Sequence, residues 1–309
     1  MTHLPNVLLL GNGLNLSFDG LPWSELLEKV AVIEDKDTLE RIISSSIPEP
    51  LKAIAVTEDR IDVQMKSHKK DLYGSVRETE HRLLLNRLLD LGFDHILTTN
   101  YSYELEKAAL GIETITDYRL EKLQTFMKAD NVRRAEGRYL LHTYMKVPNR
   151  NGYCPVWHIH GEARKPDSMI LGHYYYGNQL CGIKKLLSGR ADSYRARQSE
   201  GKDAEIKSWI DAFILGNVYV LGFGMDVSEL DIWWLLNRKK REKAEHGGVF
   251  FYEPYDKKQF GKYQLLRQLQ GKHSDLGWNK AGMKKEDYKA FYDDAIADIE
   301  ERIKMEAER

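Results

Sequence analysis

Four short segments contain most of the residues that could do chemistry, and each follows an apolar run. They are residues 11–15 (Gly-Asn-Gly-Leu-Asn), 98–100 (Thr-Thr-Asn), 158–161 (His-Ile-His-Gly) and 222–226 (Gly-Phe-Gly-Met-Asp). Glycine turns let a backbone approach a ligand, amides orient hydroxyl groups or water, and histidine transfers protons near neutral pH. Ligands of parallel sheets bind beyond the carboxyl ends of the strands, so these segments predict one cleft for a polar ligand.

The two glycine turns are typical of a nucleotide site. Residues 6–10 predict an apolar strand, and Gly11 and Gly13 follow it directly. A turn that passes close to a phosphate needs glycine, because a side chain would occupy the space of the phosphate. A second Gly-x-Gly, at Gly222 and Gly224, follows another predicted strand.

The charged residues after the second glycine turn have structural and functional interpretations. Asp226 is expected to cap the helix that follows. Asp231 lies near the start of that helix, where an acid suits the helix dipole; alternatively, its carboxylate accepts hydrogen bonds from ribose hydroxyls. The basic run at residues 238–241 is expected to form a solvated helix face rather than a nucleic-acid contact.

Asn100 is a candidate for orienting a substrate. Thr98, Thr99 and Asn100 also suit the N-terminal end of a helix that begins near Tyr101. The two roles are compatible, since a helix cap lies at the edge of the cleft. In the functional interpretation, the Asn100 amide contacts a ribose or a water molecule.

His158 and His160 lie two residues apart on a predicted strand, which directs both side chains to one face. A histidine pair can bind a metal ion, but no third ligand stands at a recognisable spacing, so we predict no metal site. His160, directly before a glycine, suits proton transfer. The alternative is that each histidine is a structural residue with its hydrogen bonds satisfied, and this applies to His158 in particular.

Short apolar strands alternate with helical segments along the chain. Strands are expected at residues 6–10, 95–99, 139–147, 154–160, 169–171, 217–221 and 249–252. Helices are expected at residues 22–33, 37–92, 101–110, 120–135, 178–214, 227–245, 256–270 and 285–307. This alternation predicts an α/β fold whose mostly parallel sheet is covered by helices on both faces.

Composition excludes several classes of protein. The 309 residues have a formal net charge of −1, so no overall field favours nucleic acid or an anionic membrane. No apolar run approaches the roughly 18 residues of a membrane span, and no signal peptide is visible, so we expect a cytoplasmic protein. With only Cys154 and Cys181, a four-thiolate zinc site is excluded.

Taken together and in order, these segments resemble the sirtuin-like (Sir2-family) domain of bacterial anti-phage defence proteins. The matching pieces are residues 9–15, 21–27, 98–101, 160–161, 168–171, 174–176 and 221–231. The resemblance implies a Rossmann-like, doubly wound sheet that binds NAD, in one domain over residues 1–309. Its core is expected at residues 6–35, 92–118 and 139–255, with helical insertions at 36–91, 119–138 and 178–215 and C-terminal helices at 256–309.

The resemblance also implies roles for individual residues. Asn100 and His160 match the catalytic asparagine and histidine of the family. The turn at Gly11, Gly13 and Asn15 would hold the phosphates, and the second turn with Asp231 would approach the adenosine half. The full set expected to bind NAD is Gly11, Asn12, Gly13, Asn15, Thr99, Ser102, Gly222, Gly224, Asp226 and Asp231.

Two features depart from the family pattern. Ser102 stands where the family usually has an aspartate that helps to hold the nicotinamide amide. The four-cysteine zinc ribbon and the Pro-Asp-Phe-Arg loop of the deacylase branch are missing, which argues against a groove for a protein substrate.

These observations predict an enzyme that hydrolyses NAD⁺ to nicotinamide and ADP-ribose without a metal. The alternatives are an NAD-dependent protein deacylase, or a non-catalytic module that senses NAD or ADP-ribose and signals through assembly. Uncontrolled NAD hydrolysis would kill the host, so we expect regulation by homo-oligomerisation or by a partner. The resemblance to NAD-depleting defence effectors suggests a translocase or helicase ATPase, or an Argonaute-like protein, as that partner.

Overall fold

A computed structural model describes residues 4–74, 76–127, 137–149, 152–188 and 191–308. One eight-stranded sheet runs through this part of the chain. Its strands are β1 (Asn6–Leu10), β2 (His95–Thr98), β3 (Gln124–Phe126), β4 (Thr143–Asn149), β5 (Gly152–His158), β6 (Asn217–Leu221), β7 (Val249–Tyr252) and β8 (Gly271–His273).

Helices cover the sheet. They are α1 (Gly13–Leu16), α2 (Trp23–Val30), α3 (Lys36–Ser44), α4 (Glu49–Thr57), α5 (Ile61–Ser67), α6 (Thr79–Asp90), α7 (Glu104–Leu110), α8 (Asp117–Leu123), α9 (His173–Ser188), α10 (Ala191–Ser199), α11 (Trp209–Leu215), α12 (Leu230–Lys240), α13 (Phe260–Gln268) and α14 (Lys285–Ala307). Short 3₁₀ turns cover Asp71–Tyr73, Pro166–Ser168 and Lys257–Gln259. Among the described residues, no helix is long and apolar enough to span a bilayer.

The strand order places β1 inside the sheet and makes it the point where the chain reverses. The order is β3-β4-β5-β2-β1-β6-β7-β8. From β1 the chain first builds β2 and β5 on one side, and it then returns to add β6, β7 and β8 on the other. The neighbouring strands in the stretch β5-β2-β1-β6-β7-β8 of the sheet are all parallel. The pairs β3-β4 and β4-β5 are antiparallel. The prediction of an α/β, Rossmann-like, doubly wound and mostly parallel sheet is confirmed, with the switch point between β1 and β6.

The burial of residues 7–10 in β1 explains their apolar sequence. Leu8 and Leu10 pack into one apolar layer, which includes residues of α2, α6 and α14, and Val7 and Leu9 pack into the opposite layer with α9, α11 and α12. All four are buried. Because both faces of this parallel sheet are covered, residues 7–10 of the strand are all apolar, whereas the partly buried Asn6 stands at its first position.

Some predicted elements are wrong, and the reasons are local. Residues 169–171 form no strand. They are buried apolar residues beside the turn after β5, where Ile170 N donates to His160 O over 2.7 Å. The helix expected at 120–135 ends at Leu123, because β3 follows and pairs with β4. Residues 128–135 of that prediction lie outside the described residues. The helix expected at 178–214 is divided into α9, α10 and α11. The short strand β8 lies in a region that was expected to contain only helices.

Candidate active site

One large cavity, of about 780 Å³, lies at the carboxyl ends of the parallel strands. Its wall includes residues that follow β1, β2, β5 and β6, as the spacing of the four polar segments predicts. Of the predicted site residues, those on the cavity wall are Asn12, Gly13, Asn15, Thr99, Asn100, Ser102, His160, Gly222, Gly224 and Asp226. Gly11 and Asp231 are not part of the wall. The cavity has the size range typical of small-molecule sites.

The first glycine turn packs against the second glycine turn. Gly11 N donates to Leu221 O over 3.0 Å, and Gly13 N donates to Gly222 O over 2.8 Å. A Cβ on Gly11 would lie 2.4 Å from Gly222 O, which is far inside van der Waals contact. Gly222 itself has a φ of +64°, a left-handed conformation that favours glycine. Close approach between two protein turns therefore explains glycine at position 11, where the sequence argument invoked a phosphate.

The side chains of Asn12 and Asn15 hold the first turn in shape. Asn15 Nδ2 donates to Asn12 Oδ1 over 3.0 Å, and Asn12 Nδ2 donates to Leu21 O over 2.9 Å. The buried His81 of α6 lies 2.9 Å from Asn15 Oδ1 through its Nε2. Burial lowers the pKa of His81 to about 4, so the ring is neutral and donates. The sequence argument did not identify His81.

Asn100 is fixed on three sides and leaves one acceptor unfilled. Its backbone N donates to Thr98 Oγ1 over 3.1 Å, and its Nδ2 donates to Gly11 O over 3.3 Å. Its backbone O lies 2.8 Å from His158 Nδ1. The Oδ1 atom is buried, and none of the residues that the structure describes forms a hydrogen bond with it. An unpaired buried acceptor is costly, so this atom is suited to receive a hydrogen bond from a ligand hydroxyl or from water.

His158 lies beneath Asn100 as a buried charged group. Its Nδ1 faces the Asn100 carbonyl, and its Nε2 lies 3.0 Å from Glu106 Oε1 of α7. Burial alone would lower the pKa of His158, but the Glu106 carboxylate and the two hydrogen bonds raise it above the ordinary value. With an acceptor at each nitrogen, the imidazolium form is favoured, and the ring supports Asn100 from outside the cavity.

His160 faces different partners from His158. The strand β5 ends at His158, and Gly161 N donates to His158 O over 3.0 Å, so His160 lies in a turn. Its Nε2 lies 3.0 Å from Asp231 Oδ2 of α12, and its ring contacts Tyr176 edge-on. The expectation that both histidines project from one face of a strand is therefore wrong, because the strand stops between them.

Asp231 lies behind His160. It is fully buried, and its Oδ2 also accepts from Gln179 Nε2 over 2.7 Å while Oδ1 accepts from Ile232 N. With these oxygens occupied and no place on the cavity wall, Asp231 is positioned to orient His160. The structure does not bring it to a place where it could accept hydrogen bonds from a ribose. Burial would raise the pKa of Asp231, but the His160 imidazolium and the hydrogen bonds lower it overall.

A second acid, Glu229, completes this group. Its Oε2 lies 3.8 Å from His160 Nε2 and accepts from Tyr176 OH over 3.1 Å. Burial opposes the charged form of His160, but Asp231 and Glu229 together raise its pKa above the ordinary value. The sequence alone assigned Glu229 no role in the chemistry of the site. Helix α12 begins one residue later, at Leu230, and the Glu229 side chain lines the cavity.

The atoms of His160, Glu229 and Asp231 that could bind a metal lie within 4.8 Å of one another. In the structure His160 and Asp231 are hydrogen-bonded to each other, Asp231 accepts from Gln179, and Glu229 accepts from Tyr176. Asp231 has no access to the cavity. We therefore describe them as a hydrogen-bonded acid–base group.

Ser102 lines the cavity together with an acid that the sequence argument did not consider. Glu104, two residues further on, shares the wall of the cavity and of a small recess beside it. Its carboxylate is already engaged, since Lys107 Nζ lies 2.6 Å from Oε2 and Val76 N donates to Oε1 over 3.2 Å. Burial raises the pKa of Glu104 despite that lysine.

Comparison with known proteins gives one family. A comparison with curated proteins gave no match. The model of the SIR2-like domain matches residues 94–276, more than half of the chain. The matched segment includes Asn100, His160 and Glu229, whereas β1 and α14 lie outside it. The chain belongs to the SIR2-like domain family.

Proposed function

We propose that this protein hydrolyses the nicotinamide–ribose bond of NAD⁺ and releases nicotinamide and ADP-ribose. The SIR2-like family includes NAD-dependent enzymes, and the cavity lies at the switch point of a doubly wound sheet, where dinucleotides bind. The observation that carries the proposal is the unfilled Asn100 Oδ1 on the same cavity wall as His160.

The reaction needs a positioned ribose and a group that accepts a proton. The Asn100 oxygen accepts a hydrogen bond from a ribose hydroxyl or from the attacking water. His160, with Nε2 directed to Asp231, has Nδ1 left to accept a proton from a ribose hydroxyl. Binding of the diphosphate and adenosine near the glycine turns fixes the reacting carbon, so binding energy far from the reaction lowers the barrier.

Product analysis tests the proposal against the deacylase alternative. Purified protein is incubated with NAD⁺, with and without an acyl-lysine peptide, and nicotinamide and ADP-ribose are quantified. We expect equal amounts of both products and no dependence on the peptide. Nicotinamide release that requires the peptide would identify a deacylase instead. NAD binding without turnover would favour the non-catalytic module.

We also propose that the activity is regulated and serves as an NAD-depleting effector in anti-phage defence, inside the cytoplasm. The support is the resemblance to such defence proteins and the toxicity of uncontrolled NAD hydrolysis. Control would come from homo-oligomerisation or from a partner such as a translocase or helicase ATPase, or an Argonaute-like protein. Turnover measured with and without each candidate partner tests this, and full activity of the isolated monomer would contradict it.

A further inference from the structure

Glu229 is a second buried acid that is open to the cavity. The Tyr176 hydroxyl and the His160 ring both lie beside Oε2, at 3.1 Å and 3.8 Å. No described residue forms a hydrogen bond with Oε1. The residue lines the cavity together with Asn100, and its side chain is 17% exposed. One carboxylate oxygen is thus held by the protein while the other is available to a small molecule in the cavity.

The groups around Glu229 come from several elements. His160 follows β5, Tyr176 belongs to α9, Tyr101 follows β2, and Asp226 and Asp231 flank Glu229 in the chain. Burial raises the pKa of both tyrosines above the ordinary value, so both remain neutral. The Tyr101 hydroxyl donates to Ile170 O over 3.0 Å, and the Tyr176 hydroxyl donates to Glu229. When protonated, His160 is therefore the cation that faces Glu229 among these groups.

We propose that Glu229 is a further catalytic residue, the base that takes the proton from the attacking water. The inference rests on the proposed hydrolysis of NAD⁺. As the water oxygen forms a bond to the ribose carbon, the carbon–nitrogen bond breaks and its electron pair goes to the nicotinamide ring nitrogen. One water proton passes to Glu229 Oε1, and the hydroxyl remains on ADP-ribose. His160 is then free to act on a ribose hydroxyl.

Glu229 is suited to this role near neutral pH. Burial, opposed by His160 and supported by the charge of Asp231, raises the pKa of Glu229 to about 7. A base must be deprotonated to accept a proton, so the rate should rise as the pH passes through the pKa. Glu229 and His160 lie close enough to titrate as a coupled pair. The rising limb of the pH–rate profile, where kcat increases with pH, therefore reports the ionisation of both groups.

Two conservative variants should move this limb in opposite directions. Glu229→Gln removes a negative charge beside His160, which lowers the pKa of His160 and moves the rising limb to lower pH. It also removes the base, so kcat on the high-pH plateau of the pH–rate profile should fall by about 10²-fold. This is the lower end of the range that a general base contributes to the rate. Tyr176→Phe removes a hydrogen bond that favours the ionised carboxylate, so the limb should move to higher pH while the plateau is largely retained.

The controls separate catalysis from folding and from charge. Glu25→Gln also removes one acid, but Glu25 pairs with Lys29 on α2 and is not part of the cavity wall, so its kcat should match the wild type. Calorimetry of NAD binding and thermal unfolding establish that each variant is folded. A plateau kcat of Glu229→Gln within about twofold of the wild type would overturn the role of Glu229 alone. Absence of NAD turnover by the wild type at every pH, both alone and with the candidate partners, would overturn the proposed function and this inference with it.

Discussion

At the residue scale, the proposed chemistry depends on how His160 is held. Asp231 fixes Nε2 of the ring and is itself held by a hydrogen bond from Gln179, so the orientation of the ring, and with it the direction of Nδ1, is set by the protein. A similar arrangement holds Asn100, whose amide and backbone are each bonded to neighbours. Preorganised groups of this kind need no reordering when the transition state forms.

Replacement of His160 should abolish most activity without loss of binding. His160→Ala removes a positioned acid–base group, and we expect kcat to fall on the order of 10²–10⁴-fold. The NAD dissociation constant, measured by calorimetry, should change much less, since we expect the phosphates and the adenosine to bind near the glycine turns. Asp231→Asn is the matched test of orientation, because it keeps the volume of the side chain but weakens the hold on His160. A His160→Ala variant with wild-type kcat would contradict the assignment.

His158 should matter less than His160, and in a different way. His158→Gln cannot reach both Glu106 and the Asn100 carbonyl, so Asn100 loses part of its support. Small misplacement of a catalytic group is costly, and we expect kcat to fall about tenfold with a nearly unchanged NAD dissociation constant. Glu106→Gln keeps an oxygen for His158 and should have the smaller effect. If His158→Gln abolished turnover while His160→Ala did not, the roles would be reversed.

At the element scale, the two glycine turns should respond differently to a methyl group. A Cβ on Gly11 meets Gly222 O at 2.4 Å and the Phe223 backbone at 2.7 Å, so Gly11→Ala must separate the ends of β1 and β6. In the described part of the chain, no atom lies within 4 Å of a Cβ on Gly224, and the φ of Gly224 is not left-handed. We expect Gly11→Ala to lower the thermal unfolding temperature markedly and Gly224→Ala to leave it unchanged.

Gly224 also tests whether the second turn meets a ligand. The protein itself gives no steric reason for glycine there, so a reason would come from a molecule in the cavity. Calorimetry on the folded Gly224→Ala variant should therefore show weakened NAD binding. An unchanged affinity would remove Gly224 from the binding site.

The elements show which parts of the fold a sequence can predict. The strands β6 and β7 and the helix α14 have the residue bounds expected from apolar runs and helical periodicity. The strands β3 and β8 were missed because each has three residues, too few for an alternating pattern, and their pairing depends on neighbours distant in sequence. A strand was wrongly predicted at residues 169–171. These residues are apolar because they are buried, and buried residues without a partner strand have the same types as those of a buried strand.

The sequence predicts the functional residues that come directly after a strand. It does not predict those whose role depends on contacts with residues distant in the sequence. Asn100 and His160 follow predicted strands, and their motifs are read directly. The contacts of His160 with Asp231 and of Glu229 with Tyr176 join residues more than 50 positions apart. No local pattern reports such pairs, so Asp231 was expected at the ribose and Glu229 was not considered as a catalytic group.

At the scale of the whole molecule, the parts of the candidate site come together at the switch point of the sheet. The sheet reverses between β1 and β6, and the two glycine turns, Asn100 and the acid–base group all lie around one cavity there. Part of this site lies outside the matched family segment, because Gly13 follows β1 and Tyr292 of α14 also lines the cavity. A variant without α14 should therefore lose both stability and NAD binding.

NAD⁺ turnover by the wild type and by Asn100→Ala tests the central claim most directly. Purified protein, alone and with candidate partner chains, is mixed with NAD⁺, and nicotinamide and ADP-ribose are measured over time. We predict release of both products in equal amounts by the wild type, and a rate at least about 10²-fold lower for a folded Asn100→Ala variant that still binds NAD. Binding of NAD by the wild type without release of nicotinamide under any of these conditions would contradict the account.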